Sequence, residues 1–555
     1  MSTNPASTDA GASHPHPGAE RVAASAESAI ALLDRGRELR LEGRLSEAVE
    51  CFENALRLDP ACARAHAGYA ATLGRLGRHT QAIASYWEAL RLDPGNPRIW
   101  AALGNRYLEQ GRAELAVDCY RQALSFDPND ELTRAVLLFA LHCDPRRAPE
   151  EIFRAHCEYG ARHGLPPRLP PAPLATGGRL RIGYLSGDFY THPVSSFFEP
   201  ILAHHSRADF DIFLYSNTAQ EDEVTARLRH LAGDWPWRDI TGLSDDEAAQ
   251  TVRADAIDIL VDLSGHTMGS RLAVLARKPA PVQATYLGYP NTTGIPAIDF
   301  RFTDAVADPP GLADRLHTER LVRLPRGFLC FARPQGAPEV GPPPFVRAGA
   351  IAFGSCSKAL KWNSEVVRVW AAILRRTPGS RLLLHHSTSD RDGTRTNLLE
   401  QFFTHGVSPD RIEILGGVDW RRHWEWFHRV DLALDPFPYN GTMGTCEALW
   451  MGVPVIALEG RTHVSRVGVS LLTGLHLEHL LAATPEEYIE KTVRLAAAPA
   501  ELAHLRAGMR ERMARAPLMD GAGFTRHLEE AYRWMWGRAL ARDCGAGIYA
   551  AASAP

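Results

Sequence analysis

Apolar positions recur along the 555-residue chain in two rhythms. The first is helical and repeats. Between residues 31 and 132 small and aromatic residues return every 34 positions: Gly43, Gly77 and Gly111; Ala48, Ala82 and Ala116; Phe52, Tyr86 and Tyr120; Ala55, Ala89 and Ala123; Pro60, Pro94 and Pro128. Each unit reads as helix, Gly-Arg turn, helix, proline. The small residues let two helices approach, and the aromatic ring fills the gap between neighbouring pairs. The pattern predicts an all-α superhelix over 26–165, with repeats at 31–64, 65–98 and 99–132 and further helix capping the array. Residues 1–25 are expected to form a disordered tail.

The second rhythm begins after the linker LPPRLPPAPLATGG (165–178). RLRIGYLSG, FDIFLYSN, IDILVDLSG, PVQATYLGY and DFRFTD are short apolar runs separated by helical stretches. ARPQGAPEVGPPPFVRAG (332–349) breaks the pattern, and AIAFGS, SRLLLHH, RIEILGG, DLALDPF and PVIALEG restart it. Strands alternating with helices imply parallel, doubly wound sheets. Two Rossmann-like units are therefore expected, at 178–332 and 348–543, the second including the terminal helices. Ligands of such sheets bind beyond the carboxyl ends of the strands, here in the cleft between the units. The 34-residue unit itself is the tetratricopeptide (TPR) signature, and TPR stacks bind protein partners along their concave face.

Composition narrows the function. Hydrophobic residues make up 45%, charged residues 23%, and the net charge is −4, the balance of a folded protein with no basic footprint for nucleic acid. No apolar run is long enough to span a membrane, and the N-terminus has no signal-peptide pattern. None of the nine cysteines forms a CxxC pair, which argues against a disulfide framework or zinc ribbon and for the cytoplasm. Only four basic residues are lysines: Lys278, Lys358, Lys361 and Lys491. The surface uses arginine, so a retained lysine draws notice.

GxGxxG after a strand, GxxxxGK[ST], GxSxG and HExxH are all absent. The phosphate-binding candidate is DPFPYNGTMGTCEALWMGVP, a strand, a small-residue loop and a helix. Gly441, Thr442, Gly444 and Thr445 offer amides and hydroxyls to an anion at the helix N-terminus. Glu447 reads as a dipole-complementing acid in the first helical turn or as an acceptor for ribose hydroxyls. Lys358 and Lys361, in SCSKALKWNSE, follow the first strand of the second unit. They read as helix-flanking surface charges or as cations for a departing diphosphate. His192, in GDFYTHPVSSF, and His266, in LSGHTMGSR, each end a strand of the first unit. A base near neutral pH and an exposed histidine both fit. His423 sits among tryptophans on an amphipathic helix, where core packing is the default. The DxD pairs Asp209–Asp211 and Asp390–Asp392 read as incidental, and no His/Asp/Glu grouping has metal-ligand spacing. Two nucleotide-scale units, a diphosphate loop, a lysine and no metal together suggest a sugar-nucleotide transferase of GT-B type.

IGYLSGDFYTHPVSSFF, GHT, RKPAPVQATYLGYPNTTG, ADPP, LVRLPRGFLCF, FPYNGT, CEALWMGVP and VGVSLLTGL resemble the glycosyltransferase family of animal O-GlcNAc transferase and plant SPINDLY, more closely SPINDLY and its bacterial relatives. The resemblance implies a GT-B fold and inverting, metal-independent transfer from a nucleotide sugar to protein Ser/Thr hydroxyls. It implies no cofactor: the donor substrate is UDP-GlcNAc, with GDP-fucose as the alternative. It assigns Lys361 to the departing diphosphate and His192 to the first unit's active-site histidine. Glu447 is similar in place to a ribose-binding acid, and His423 to a histidine near the nucleotide. Leu287 and Gly288 match a turn lining the sugar-diphosphate pocket, and Thr442 and Thr445 fall in the diphosphate loop. Two departures stand out: Met443 and Gly444 interrupt a threonine run, and Lys358 stands where relatives carry Asn or Gln. A TPR scaffold with a non-catalytic transferase domain is the alternative from another class.

Overall fold

The computed structural model describes residues 17–163, 177–386, 393–416 and 420–543. The first 147 of these form eight antiparallel helices: α1 (Pro17–Leu41), α2 (Leu45–Leu58), α3 (Ala63–Arg75), α4 (His79–Leu92), α5 (Pro97–Glu109), α6 (Ala113–Phe126), α7 (Glu131–Cys143) and α8 (Pro149–His163). The repeat aromatics Phe52, Tyr86 and Tyr120 are buried, as the periodicity requires. One expectation is corrected. Helix α1 begins at Pro17, so residues 17–25 are helical rather than part of a disordered tail. The alanine-rich stretch AERVAASAESAIALL favours helix. Residues 1–16 lie outside the described residues.

Seven parallel strands form the first sheet: β1 (Leu180–Ser186), β2 (Phe210–Ser216), β3 (Trp237–Asp239), β4 (Ile259–Asp262), β5 (Val282–Thr285), β6 (Phe300–Thr303) and β7 (Arg320–Arg323). Their order is β3-β2-β1-β4-β5-β6-β7. Six more form the second: β8 (Ala352–Cys356), β9 (Arg381–His386), β10 (Ile412–Gly416), β11 (Leu432–Leu434), β12 (Val455–Leu458) and β13 (Leu481–Ala482), in the order β10-β9-β8-β11-β12-β13. All pairings are parallel, with registers such as Tyr184 opposite Leu214 and Phe353 opposite Leu382. The strands read as near-continuous apolar runs because both faces of each sheet are covered by helices. Both sheets reverse direction of growth beside their first strand, β1 and β8, which opens a crevice at each carboxyl edge.

The lobes are tied together by directed polar contacts, and the array joins the first lobe through a shared apolar core. Arg466 Nε donates to the carbonyl of Val306 at 2.8 Å, and Ser470 Oγ donates to Asp304 Oδ2 at 2.6 Å. His463 Nδ1 lies 2.7 Å from Asp308 Oδ2. Tyr86, Leu103 and Tyr120 of the array share one core with Leu185, Tyr215 and Ile295 of the first lobe, whereas Leu33, Phe52 and Ala65 pack in a separate cluster. The last helix, Gly521–Asp543, corrects the expected partition. It crosses back to the first lobe, where Tyr532 meets the Tyr184 hydroxyl at 2.8 Å and Glu529 Oε1 meets His205 Nδ1 at 3.0 Å.

Candidate active site

One wall of the cleft is built by the second lobe. β8 ends at Cys356 and leads through Lys358 into the 3-10 turn Ala359–Lys361. Beside it, β11 runs into the loop at 435–442 and the helix Met443–Trp450. Lys361 Nζ donates to the Asn440 carbonyl at 2.8 Å and sits 3.9 Å from the centre of the Tyr439 ring. Asn440 is itself fixed: its Nδ2 donates to Pro436 O at 3.1 Å, and its Oδ1 accepts from Gly468 N at 3.2 Å. The lysine is thereby held against the loop on a support that does not neutralise it. Asp435, buried at the end of β11, accepts the Gly441 amide at 2.7 Å and the Thr445 hydroxyl at 3.5 Å. Burial pushes the Lys361 ammonium below its ordinary range and the Asp435 carboxyl above its own, while each charge favours the other.

Three readings of this loop change. The Gly441 amide is bonded to Asp435 and is not free for a phosphate. The helix starts at Met443 with Thr442 as N-cap, and Thr442 makes no side-chain cap bond, so its hydroxyl and the first-turn amides remain to meet an anion. Glu447 therefore lies in the second turn and is not a dipole-complementing acid. It is buried, with Oε2 3.1 Å from His423 Nε2. Burial works against a charged His423 imidazole, but the Glu447 hydrogen bond and charge outweigh it and raise its pKa. The interrupted threonine run also has a reason. A Cβ at Gly444 would stand 2.3 Å from the Cys356 carbonyl oxygen, so a glycine is what lets the helix press onto the end of β8.

The first lobe builds the other wall. His192 is the N-cap of α9 (Pro193–His204) and receives the Val194 amide on Nδ1 at 3.4 Å. Asp188 Oδ1 stands 3.6 Å from the same nitrogen. Burial, then the Lys358 charge, push the imidazole down to about 4, so it is neutral at pH 7. Burial and the neighbouring Asp262 push Asp188 up to about 6. Leu287, just past β5, is held at a positive φ of 71°. Gly288 has no room for a side chain, because a Cβ there would lie 1.9 Å from Leu263 O. His266 is not brought to the cleft. Its Nε2 lies 2.7 Å from Thr293 O, and its ring packs 4.6 Å from Tyr159 and 5.3 Å from His156, at the seam with α8. Its position after β4 is correct, but α8 covers it.

Lys358 is exposed, and its charge is felt on both walls, by Asp188 and His192 as well as Lys361. Asp209 and Asp211 flank the amino end of β2, the edge away from the cleft, bonded to Ser206 at 2.8 Å and Arg179 at 2.8 Å respectively. Asp390–Asp392 lies outside the described residues. Residues the sequence did not single out include Asp435, Asp188 and Tyr439. Tyr439 is backed by the array: Phe139 of α7 packs on it at 5.6 Å. Asn363 Nδ2 joins the Cys143 carbonyl at 3.3 Å to that of Phe437 at 2.7 Å. The cleft also holds a grouping that no sequence spacing announced: Cys356, His385 and His423, each with a donor atom within 4.8 Å of the others.

Comparison with known proteins places the chain in a family. The profile of glycosyl transferase family 41 matches residues 162–335 and 346–528, and tetratricopeptide repeat profiles match 33–97 and 75–137. A Solanum lycopersicum protein named "Probable UDP-N-acetylglucosamine--peptide N-acetylglucosaminyltransferase SPINDLY" is 40% identical over 413 residues, covering 72% of this chain and 44% of its own length. The Arabidopsis thaliana protein of the same name is 39% identical over 396 residues, covering 70% and 43%. The chain thus spans less than half the length of these curated relatives. A solved mutant of the Thermobaculum terrenum O-GlcNAc transferase superposes with a TM-score of 0.81 at 35% identity, covering 94% of this chain and 98% of that one.

Proposed function

The chain belongs to glycosyl transferase family 41, and from that premise we propose that it is a protein O-glycosyltransferase. It transfers GlcNAc from UDP-GlcNAc to Ser/Thr hydroxyls, with inversion and without a required metal ion or cofactor. The observation that carries this reading is the placement of Lys361, anchored 2.8 Å from the Asn440 carbonyl beside the N-terminus of helix Met443–Trp450. A fixed ammonium and unpaired helix amides together suit the developing charge of a leaving diphosphate.

The acceptor oxygen attacks the anomeric carbon from the side of the first lobe. The bond from that carbon to the diphosphate oxygen breaks, and its electron pair leaves with the nucleotide, where Lys361, the Thr442 hydroxyl and the first-turn amides receive the charge. Glu447, steadied by His423, takes the ribose hydroxyls, and the Leu287–Gly288 turn faces the sugar. The acceptor proton goes to Nε2 of His192. For Nε2 to accept it, the neutral ring carries its own proton on Nδ1, which gives up the Val194 amide and turns to Asp188, whose carboxylate stabilises the imidazolium formed. The acceptor protein lies along the concave face of the TPR array, which meets the site through Phe139 and Tyr439.

No helix of the described residues is long and apolar enough to cross a membrane, and action in the cytoplasm is part of the proposal. A melting-temperature panel with UDP, GDP and UDP-GlcNAc, followed by transfer of labelled GlcNAc to protein, tests the proposal. Stabilisation by UDP with label transfer is expected. Stabilisation by GDP alone would move the donor to GDP-fucose, and stabilisation by none would leave a non-catalytic scaffold.

A further inference from the structure

The Cys356, His385 and His423 grouping does not belong to the transfer chemistry as a set, although His423 borders the donor pocket. Cys356 closes β8, His385 lies near the end of the adjacent β9, and His423 comes from the helix Trp420–Phe427. The parallel β8–β9 register places Cys356 directly opposite His385. Their donor atoms, Sγ and Nδ1, are 3.9 Å apart. The two imidazole rings stand edge to face with centres 5.1 Å apart. Tetrahedral coordination with metal–sulfur and metal–nitrogen bonds of about 2.3 and 2.1 Å spaces donors about 3.5 Å apart. The Cys356–His385 pair is close to that spacing, and a donor atom of His423 lies within 4.8 Å of both. Glu447 already holds His423 through Nε2, and can act as the carboxylate behind a metal-bound imidazole.

We infer that these three residues form a binding site for a thiophilic divalent cation of the Zn(II) class. A sulfur and two imidazoles select such an ion over Mg(II) or Ca(II), which prefer oxygen. The ligand at Cys356 is the thiolate. Coordination forms the metal–sulfur bond and releases the thiol proton to solvent. The ion inhibits the enzyme and takes no part in transfer. This second half rests on the donor reading above, in which His423 and Glu447 face the nucleoside. An ion that recruits them denies them to the donor.

Co(II) serves as a spectroscopic probe on the purified full-length chain. One equivalent is expected to give tetrahedral visible bands and a thiolate-to-cobalt charge-transfer band, both bleached by one equivalent of Zn(II). Cys356→Ser is expected to abolish the charge-transfer band, and His385→Ala to weaken Co(II) binding about tenfold or more. The two variants are to melt as the wild type does, so that misfolding is separated from ligand loss. If one variant fails to fold, the other and the wild-type charge-transfer band still decide the matter. Absence of that band, or its persistence in Cys356→Ser, overturns the site whatever nucleotides do. Competition is read by adding UDP or GDP, with ADP as a control of equal chelating power. Bleaching by the former at concentrations where ADP leaves the band intact is expected. A band that survives a nucleotide which stabilises the metal-free protein overturns the inhibitory role. Failure of any nucleotide to stabilise the metal-free protein overturns the donor reading and leaves the charge-transfer result to stand on its own.

Discussion

The two walls of the cleft use opposite electrostatics. The second-lobe wall presents a fixed cation: Lys361 is braced by a carbonyl at 2.8 Å and an aromatic face at 3.9 Å, next to a helix N-terminus. The first-lobe wall presents groups near their switching points or already neutral, with Asp188 raised to about 6 and His192 lowered to about 4. A leaving diphosphate needs positive charge that is in place before the bond breaks. An acceptor hydroxyl needs a group that is unprotonated at neutral pH and placed to receive its proton. Under the proposed function, this contrast gives one half of the reaction to each lobe.

The sharpest way to break the contrast is at Lys361. Lys361→Ala is expected to lower label transfer about 10²- to 10³-fold, the range for loss of a preorganised oxyanion partner, with the fold intact by circular dichroism. The next largest effect is steric. Gly444→Val drives a side chain into the Cys356 carbonyl, where a Cβ already comes within 2.3 Å. The helix must back away, and the expected cost of about 1–3 kcal/mol should appear as weaker UDP binding by calorimetry. On the first-lobe wall the effect is a change in pH profile. Asp188 is protonated below about 6 and ionised above it, so transfer should fall as pH drops through about 6. Asp188→Asn should remove that limb and lower the plateau about tenfold in an initial-rate profile. Phe139→Ala, which removes the α7 ring behind Tyr439, should reduce transfer a few-fold without altering UDP-dependent stabilisation by more than about twofold in Kd. Lys358→Gln should do least. An exposed charge is worth about 0–1 kcal/mol, so UDP affinity should change less than about fivefold and soften further in high salt.

The array was legible because the residues that repeat are the ones that pack: Phe52, Tyr86 and Tyr120 are buried where the 34-residue period places them. The parallel sheets were legible because strands covered on both faces become short apolar runs. Lys361 stood out through the scarcity of lysine, and its neighbours followed from the helix-entry loop. What stayed hidden depends on contacts between distant segments. Asp435 reads as an ordinary turn acid until its burial under Gly441 and Thr445 is seen. His266 looks like any histidine after a strand, and only the docking of α8 removes it from the cleft. Gly444 looks like a lost hydroxyl until the Cys356 carbonyl is found against it. Cys356, His385 and His423 have no characteristic spacing, because three separate elements deliver them to one point. The last helix follows the second lobe in sequence, yet Tyr532 and Glu529 face Tyr184 and His205 of the first.

The division of labour between the walls is tested most directly by titrating UDP calorimetrically into Lys361→Ala and His192→Ala, each with its transfer rate measured in parallel. The account predicts that Lys361→Ala loses about tenfold or more in UDP affinity, the worth of a hydrogen bond to a charged group. It predicts that His192→Ala binds UDP as the wild type does while transferring slowly. Equal losses of UDP affinity in both variants, or unchanged affinity with near-normal transfer in Lys361→Ala, would contradict it.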